Sequence, residues 1–146
     1  MSRLLIIGYG NPQRGDDGLG WHAADQLRKT IDDPEVEILA VHQLTPELMD
    51  PVSRARRAIF IDACQDGEPG EIRERRVGLA AGKARFTHHF TPESLVEGAK
   101  SLFGTAPEAV LYTVCGASFE LGAELSAPVR NAMELLLRTI SETWLS

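Results

Sequence analysis

The sequence predicts an α/β fold: a three-layer, twisted, mostly parallel sheet of about five strands with helices on both faces. Three observations carry this. Short runs apolar on both sides, such as Leu4-Leu5-Ile6-Ile7 and Ala58-Ile59-Phe60-Ile61, suit strands covered on both faces. Segments with apolar residues every three or four positions lie between those runs. The two patterns alternate along the chain.

The first run, Leu4 to Ile7, ends in glycine and reads as a buried parallel strand. Leu19, Ala23, Leu27 and Ile31 then form the buried stripe of a helix that stops before Pro34. Val36 to Val41 is a second strand. A second helix begins at Thr45, as N-cap, with Pro46 in its first position. Ala58 to Asp62 is a third strand, and Gly70 to Val77 alternates charge and aliphatic as an edge strand does. Gly78 to Lys83 is the most loop-like stretch. Pro92 to Phe103 is helical, Ala109 to Cys115 is a buried strand, and Ser126 caps a last helix whose stripe is Val129, Met133, Leu136 and Ile140.

The bulk numbers agree with one domain over residues 1–146. A chain of 146 residues buries roughly 70% of its unfolded surface, enough for a core without staples. Its net charge of −6 argues against nucleic acid and against an anionic membrane surface. The N-terminal apolar run is too short for a signal peptide and no stretch is long enough to span a bilayer, so a cytoplasmic location is expected. Cys64 and Cys115 lack metal-type or redox-type spacing, and both are expected to be reduced core residues. The arginines at 54, 56 and 57 and at 73, 75 and 76 read as solvated faces paired with nearby acids.

In open parallel sheets the site lies beyond the carboxyl ends of the strands. The first strand ends in Gly8-Tyr9-Gly10-Asn11 and leads to Asp16-Asp17-Gly18-Leu19-Gly20; the third ends in Asp62; Thr87-His88-His89 precedes a helix. Two carboxylates and an imidazole on one rim would suit a borderline divalent ion. A dinucleotide loop fits less well, because Gln13 stands where a third glycine is needed and the second strand ends in His42, not an acid. Adjacent side chains diverge, so Asp16 and Asp17 divide: Asp16 caps the first helix and Asp17 is a ligand. His22 reads as a helix residue and His42 as a loop residue.

Gly8-x-Gly10-Asn11, Asp16-Asp17-Gly18-x-Gly20, the strand ending in Asp62-Ala63, and Thr87-His88 together resemble the hydrogenase maturation endopeptidases over nearly the whole chain. The resemblance implies an endopeptidase that removes the C-terminal extension of a nickel-iron hydrogenase large-subunit precursor after nickel insertion. It implies Asp17, Asp62 and His88 as both metal ligands and catalytic residues, with His89 the alternative to His88. It implies nickel supplied by the substrate, the large-subunit precursor as partner, and a monomer. Two departures stand out: His42-Gln43-Leu44-Thr45-Pro46 replaces a glycine-rich turn, and Pro12 replaces an aliphatic residue. Nickel held by those ligands would polarise the scissile carbonyl or acidify a water, with the amides of Gly8 to Asn11 as oxyanion donors. A shared proton between Asp17 and Asp62, as in aspartic proteases, is the competing chemistry. The other function class is a non-catalytic module binding a nucleotide or a maturation partner.

Overall fold

A computed structural model describes residues 2–78 and 90–145. In chain order the elements are β1 (Ser2–Tyr9), a 3-10 turn (Gly15–Gly18), α1 (Leu19–Thr30), β2 (Val36–Val41), a 3-10 turn (Pro46–Leu48), α2 (Met49–Arg54), β3 (Ala55–Cys64), β4 (Ile72–Val77), α3 (Pro92–Phe103), β5 (Glu108–Cys115) and α4 (Ala127–Trp144). The five strands form one sheet in the order β2-β1-β3-β5-β4. All neighbours run parallel except β4, which pairs antiparallel with β5 at the edge. Its outward residues Arg73 to Arg76 are exposed and charged, which discourages another chain from pairing there.

The layers follow from alternation along the strands. Leu5, Ile7, Ala58, Phe60, Ala109 and Leu111 face one way and pack with Leu48 and Val52 of the second helical segment and with Leu95, Val96 and Ala99 of α3. Leu4, Ile6, Ile59, Ile61, Tyr112 and Val114 face the other way and meet Leu19, Ala23 and Leu27 of α1 and Val129, Leu136 and Ile140 of α4. Those apolar positions are the ones the helical and strand periods pick out, so the three-layer α/β reading holds. Strand β1 is fully apolar from Leu4 to Ile7 because both of its faces are covered.

Local chemistry departs from the sequence reading at two helix starts. Thr45 is extended and makes no side-chain cap, and the α-helical ladder begins only at Met49. Pro51 explains the delay, since it has no N–H to give to the carbonyl four residues back. Ser126 also makes no cap bond within α4; its hydroxyl is turned to Asp16 instead. The one built capping box belongs to α3, where the Thr91 hydroxyl accepts from the Ser94 amide at 3.1 Å and the Ser94 hydroxyl accepts from the Thr91 amide at 2.7 Å.

The arginine runs are paired with acids only in part. Arg54 meets Asp50 at 3.0 Å and Arg73 meets Asp66 at 3.0 Å, while Arg75 pairs with Glu93. Arg57 stacks over the Trp144 ring at 4.6 Å.

The cysteines need a correction. Cys64 and Cys115 are not separate thiols: they stand opposite each other as the final register pair of β3 and β5 and are joined in a disulfide, with Cα atoms 4.4 Å apart. The strand order puts β5 beside β3, and that neighbour relation brings together two residues 51 apart in sequence.

Candidate active site

Three parallel strands, β1, β2 and β3, end at the same rim. Tyr9 closes β1, His42 follows β2, and Asp62 lies near the end of β3. The start of α1 is pressed into this rim by glycine. A Cβ on Gly20 would sit 2.2 Å from the Ile61 carbonyl oxygen and 2.5 Å from that of Tyr9. Only hydrogen fits there, so the helix backbone rests on the backbones of both β1 and β3. Gly10 answers the same need from the other side. Its φ is 142°, and a Cβ would lie 1.9 Å from the Asp17 carbonyl oxygen. The glycines of this motif therefore fit backbone to backbone and are not arranged as a phosphate cradle.

The two adjacent aspartates have separate tasks, but Asp16 is not the helix cap that the sequence suggested. The N-cap position of α1 is Gly18, with no side-chain cap bond. Asp16 is fully buried and clasps the segment between β5 and α4. One carboxylate oxygen accepts from the amides of Ala117 and Ser118 at 2.8 and 3.1 Å and from the Ser126 hydroxyl at 2.8 Å; the other accepts from the Ser126 amide at 2.7 Å. Burial opposes its charge, yet these bonds outweigh it and hold the carboxyl below the ordinary range.

Asp17 points into a cavity of about 460 Å³ whose lining includes Tyr9, Gly10, His42, Asp62, Phe90 and Thr91. One of its oxygens accepts from the Asn11 amide at 2.9 Å, and the Asn11 side chain in turn accepts from the Gln13 amide at 2.9 Å. The loop amides are thus already engaged: Gly10 donates to the Val41 carbonyl at 3.2 Å and Asn11 to Asp17. They are not free oxyanion donors, which corrects that expectation.

Asp62 shares the cavity with Asp17. Burial pushes its carboxyl up to about 6, and the nearby Asp17 charge adds to the rise. The Ala63 amide, 2.8 Å away, and the Tyr9 hydroxyl hydrogen-bond to it and partly offset that rise. Tyr9 is the cavity residue that the sequence reading missed. Its phenol is pushed up by burial and by the Asp62 charge, so it stays protonated and keeps donating. The signal for it was its place as the last residue of β1, beside the glycine bend.

His88 and His89 lie outside the described residues; Phe90, which follows them, lines the cavity. His42 is at the rim of the cavity, whereas His22 sits on α1 with its ring edge-on to Trp21 at 5.3 Å. A larger cavity of about 760 Å³, lined by Pro12, Gln13, His22, Arg130 and residues 121–125, holds neither Asp17 nor Asp62. The chemistry favours the smaller one.

The donor set fits a cation. Two carboxylates face one partly buried cavity, and the ionised form of Asp62 is disfavoured there without a counter-charge. A borderline divalent ion would supply it.

No protein-family model matches the chain. It is 28% identical over 137 residues to the hydrogenase expression/formation protein HupD of Bradyrhizobium diazoefficiens, covering 89% of this chain and 71% of that protein. Among solved structures it is similar to the NiFe hydrogenase maturation protease HycI of Thermococcus kodakarensis. The two superpose with a TM-score of 0.83 at 26% identity, over 99% of this chain and 94% of the other. In sequence and in fold the chain is similar to hydrogenase maturation proteases. A hydrogenase 2 maturation peptidase from a thaumarchaeote is similar too, with a TM-score of 0.73 at 26% identity and 97% of each chain covered. The likeness extends over nearly the whole of this chain, so the largely parallel sheet between helices is common to these structures.

Proposed function

We propose that this maturation protease removes the C-terminal extension of a nickel-iron hydrogenase large-subunit precursor, and that it acts once nickel has been inserted. The observation that carries this reading is the convergence of Asp17 and Asp62 on one cavity at the carboxyl rim. The protein works as a cytoplasmic monomer of one domain, and its site reads the nickel of the precursor as part of the substrate.

Asp17, Asp62 and His88 would hold the substrate's nickel at that rim, the carboxylates as hard donors and the imidazole as a borderline one. When bound, the ion supplies Lewis acidity at the peptide group to be cut. The remaining work belongs to the chain's own atoms. The Asn11 amide fixes one Asp17 oxygen and leaves the other to face the cavity. Tyr9 and the Ala63 amide hold the Asp62 carboxylate in one orientation and favour its charged form. His42 and Phe90 line the cavity beside the two carboxylates.

Metal-assisted hydrolysis is favoured over a shared-proton aspartic mechanism by the separate anchoring of the two carboxylates. Each is oriented by its own backbone amide, Asn11 for Asp17 and Ala63 for Asp62. A shared proton would require a hydrogen bond between the two carboxyls, whereas Asp17 acts on Asp62 through its charge.

The test is processing of a nickel-loaded precursor, followed as a mobility shift on a gel. Asp17→Ala and Asp62→Ala should each leave the precursor full length while their circular dichroism matches that of the unsubstituted protein. Normal trimming by either variant would remove that residue from the machinery. Tight binding of a dinucleotide, seen as a rise in Tm, would favour a binding module instead.

A further inference from the structure

We propose that Cys64 and Cys115 form a reversible oxidation site that exchanges with small-molecule disulfides and clamps the strand end carrying Asp62. Four observations converge on it. The first is position. Asp62 and Cys64 are two apart on β3, so they share a face of the sheet, and their register partners on β5 are Thr113 and Cys115. The cross-link is the next rung beyond Asp62 on its own face.

The second is access. Cys115 is completely buried, whereas Cys64 is only half-buried. One sulfur can meet a reagent and the other can resolve the product, a division of labour that thiol exchange requires. The third is space. A Cβ on Gly67 would lie 2.6 Å from the Cys115 sulfur, so the turn after β3 closes over that sulfur and leaves Cys64 as the one a reagent meets. The fourth is that the strand ends have backbone bonds of their own beside the cross-link. Strands β3 and β5 are already paired from Arg57 and Glu108 onward, and the turn beyond them is held by backbone bonds: Gly70 to the Cys115 carbonyl at 2.7 Å, Cys115 to Glu71 at 2.9 Å, and Gly116 to Cys64 at 2.8 Å.

The exchange balances as follows. The Cys64 thiolate attacks one sulfur of a low-molecular-weight disulfide, and that reagent's S–S bond breaks. One thiolate leaves and takes up a proton, and Cys64 carries a mixed disulfide. The Cys115 thiolate then attacks the Cys64 sulfur and expels the second small thiolate, which is protonated in turn. The protein loses two electrons and two protons; the reagent gains them as two thiols. Excess small thiol reverses both steps. In a reducing compartment the dithiol is the resting form, and the disulfide marks an oxidising episode.

The full-length chain is reduced with dithiothreitol, exchanged into oxidised glutathione, and alkylated in denaturant before mass measurement. The reduced chain should take two labels, and the oxidised chain should take none and carry no glutathione. Cys115→Ser should retain one glutathione on Cys64, and Cys115→Ala serves if serine at that buried position unfolds the chain. Peptide-level hydrogen exchange should slow about tenfold across residues 62–64 and 113–115 in the oxidised form. The proposal is overturned by any of four results. The first is a dithiol that resists oxidation at every glutathione ratio, and the second is a disulfide that survives excess dithiothreitol in the native chain. The third is equal exchange across the strand ends in the two states. The fourth is cobalt binding by the reduced chain with a sulfur charge-transfer band that Asp66→Ala abolishes. That last result would make the cluster of Cys64, Asp66 and Cys115 a metal site instead.

Discussion

The Tyr9 hydroxyl is hydrogen-bonded to the Asp62 carboxylate, so the last residue of β1 steadies the cavity end of β3. The two strands are parallel neighbours in the sheet, which places both side chains at one rim. The bond supports the charged form of a carboxyl that burial has pushed up to about 6.

Removing that bond should be visible in the pH dependence of processing. Tyr9→Phe keeps the ring and deletes the donor, so the Asp62 carboxyl rises further above its present value of about 6. The acidic limb of the pH–rate profile then moves to higher pH. Processing near pH 6 should slow about three- to tenfold, with little change above pH 8. An unmoved limb would show that Asp62 is not the group titrating there.

Asp62 itself should cost the metal-free protein stability. Its folded carboxyl titrates near 6 against an ordinary 3.8. The folded state therefore binds the proton more tightly than the unfolded chain. The associated stability is fully present below about pH 4 and is lost as pH rises through about 6. Asp62→Asn removes this penalty. It should stabilise the metal-free chain by about 2 kcal/mol at pH 7 and by nearly nothing at pH 4. Urea midpoints at the two pH values measure the difference, and the same variant should fail to process precursor.

Asp16 should behave in the opposite sense. Its carboxyl is held below 3.8 by the bonds from Ser126, Ala117 and Ser118. The stability it contributes is present above about pH 4 and drains away as pH falls through its lower folded value. Asp16→Ala leaves three amides and a hydroxyl without their acceptor. It should lower stability by about 3 kcal/mol at neutral pH, with a smaller deficit at pH 3. Tm measured across that range checks both statements.

Nickel in the precursor should control the reaction. Precursor prepared without nickel should remain full length in the presence of the unsubstituted protein, and adding nickel to that precursor should restore trimming. Equal trimming of both forms, followed on a gel, would assign the chemistry to the two carboxylates alone.

Much of the fold was legible because every buried strand and helix carries its own period. Leu4 to Ile7 and Leu19, Ala23 and Leu27 read correctly because burial on both faces or on one stripe leaves a local trace. Asp17 and Asp62 were legible for the same reason, each ending a glycine- or strand-borne segment at a rim that parallel topology makes common. What failed depended on partners far away. Asp16 looks like a cap because an acid before a helix usually is one; its true partners are more than a hundred residues on. Cys64 and Cys115 meet only because β5 inserts between β3 and β4, an order that no periodicity encodes. Tyr9 was passed over because an aromatic at a strand end is ordinary until its hydroxyl is seen against a carboxylate.

The clasp between Asp16 and Ser126 also sets an order of events during synthesis. Asp16 leaves the ribosome 110 residues ahead of Ser126. The loop that Asp16 organises does not exist until the last strand is paired, and none of the parallel neighbours can form as a local hairpin. A nascent chain therefore holds Asp17 near an unfinished rim for most of its translation. The two cavity-facing carboxylates come into register only when nearly the whole polypeptide has been made, so hydrolytic competence arrives with completion of the fold and not before it.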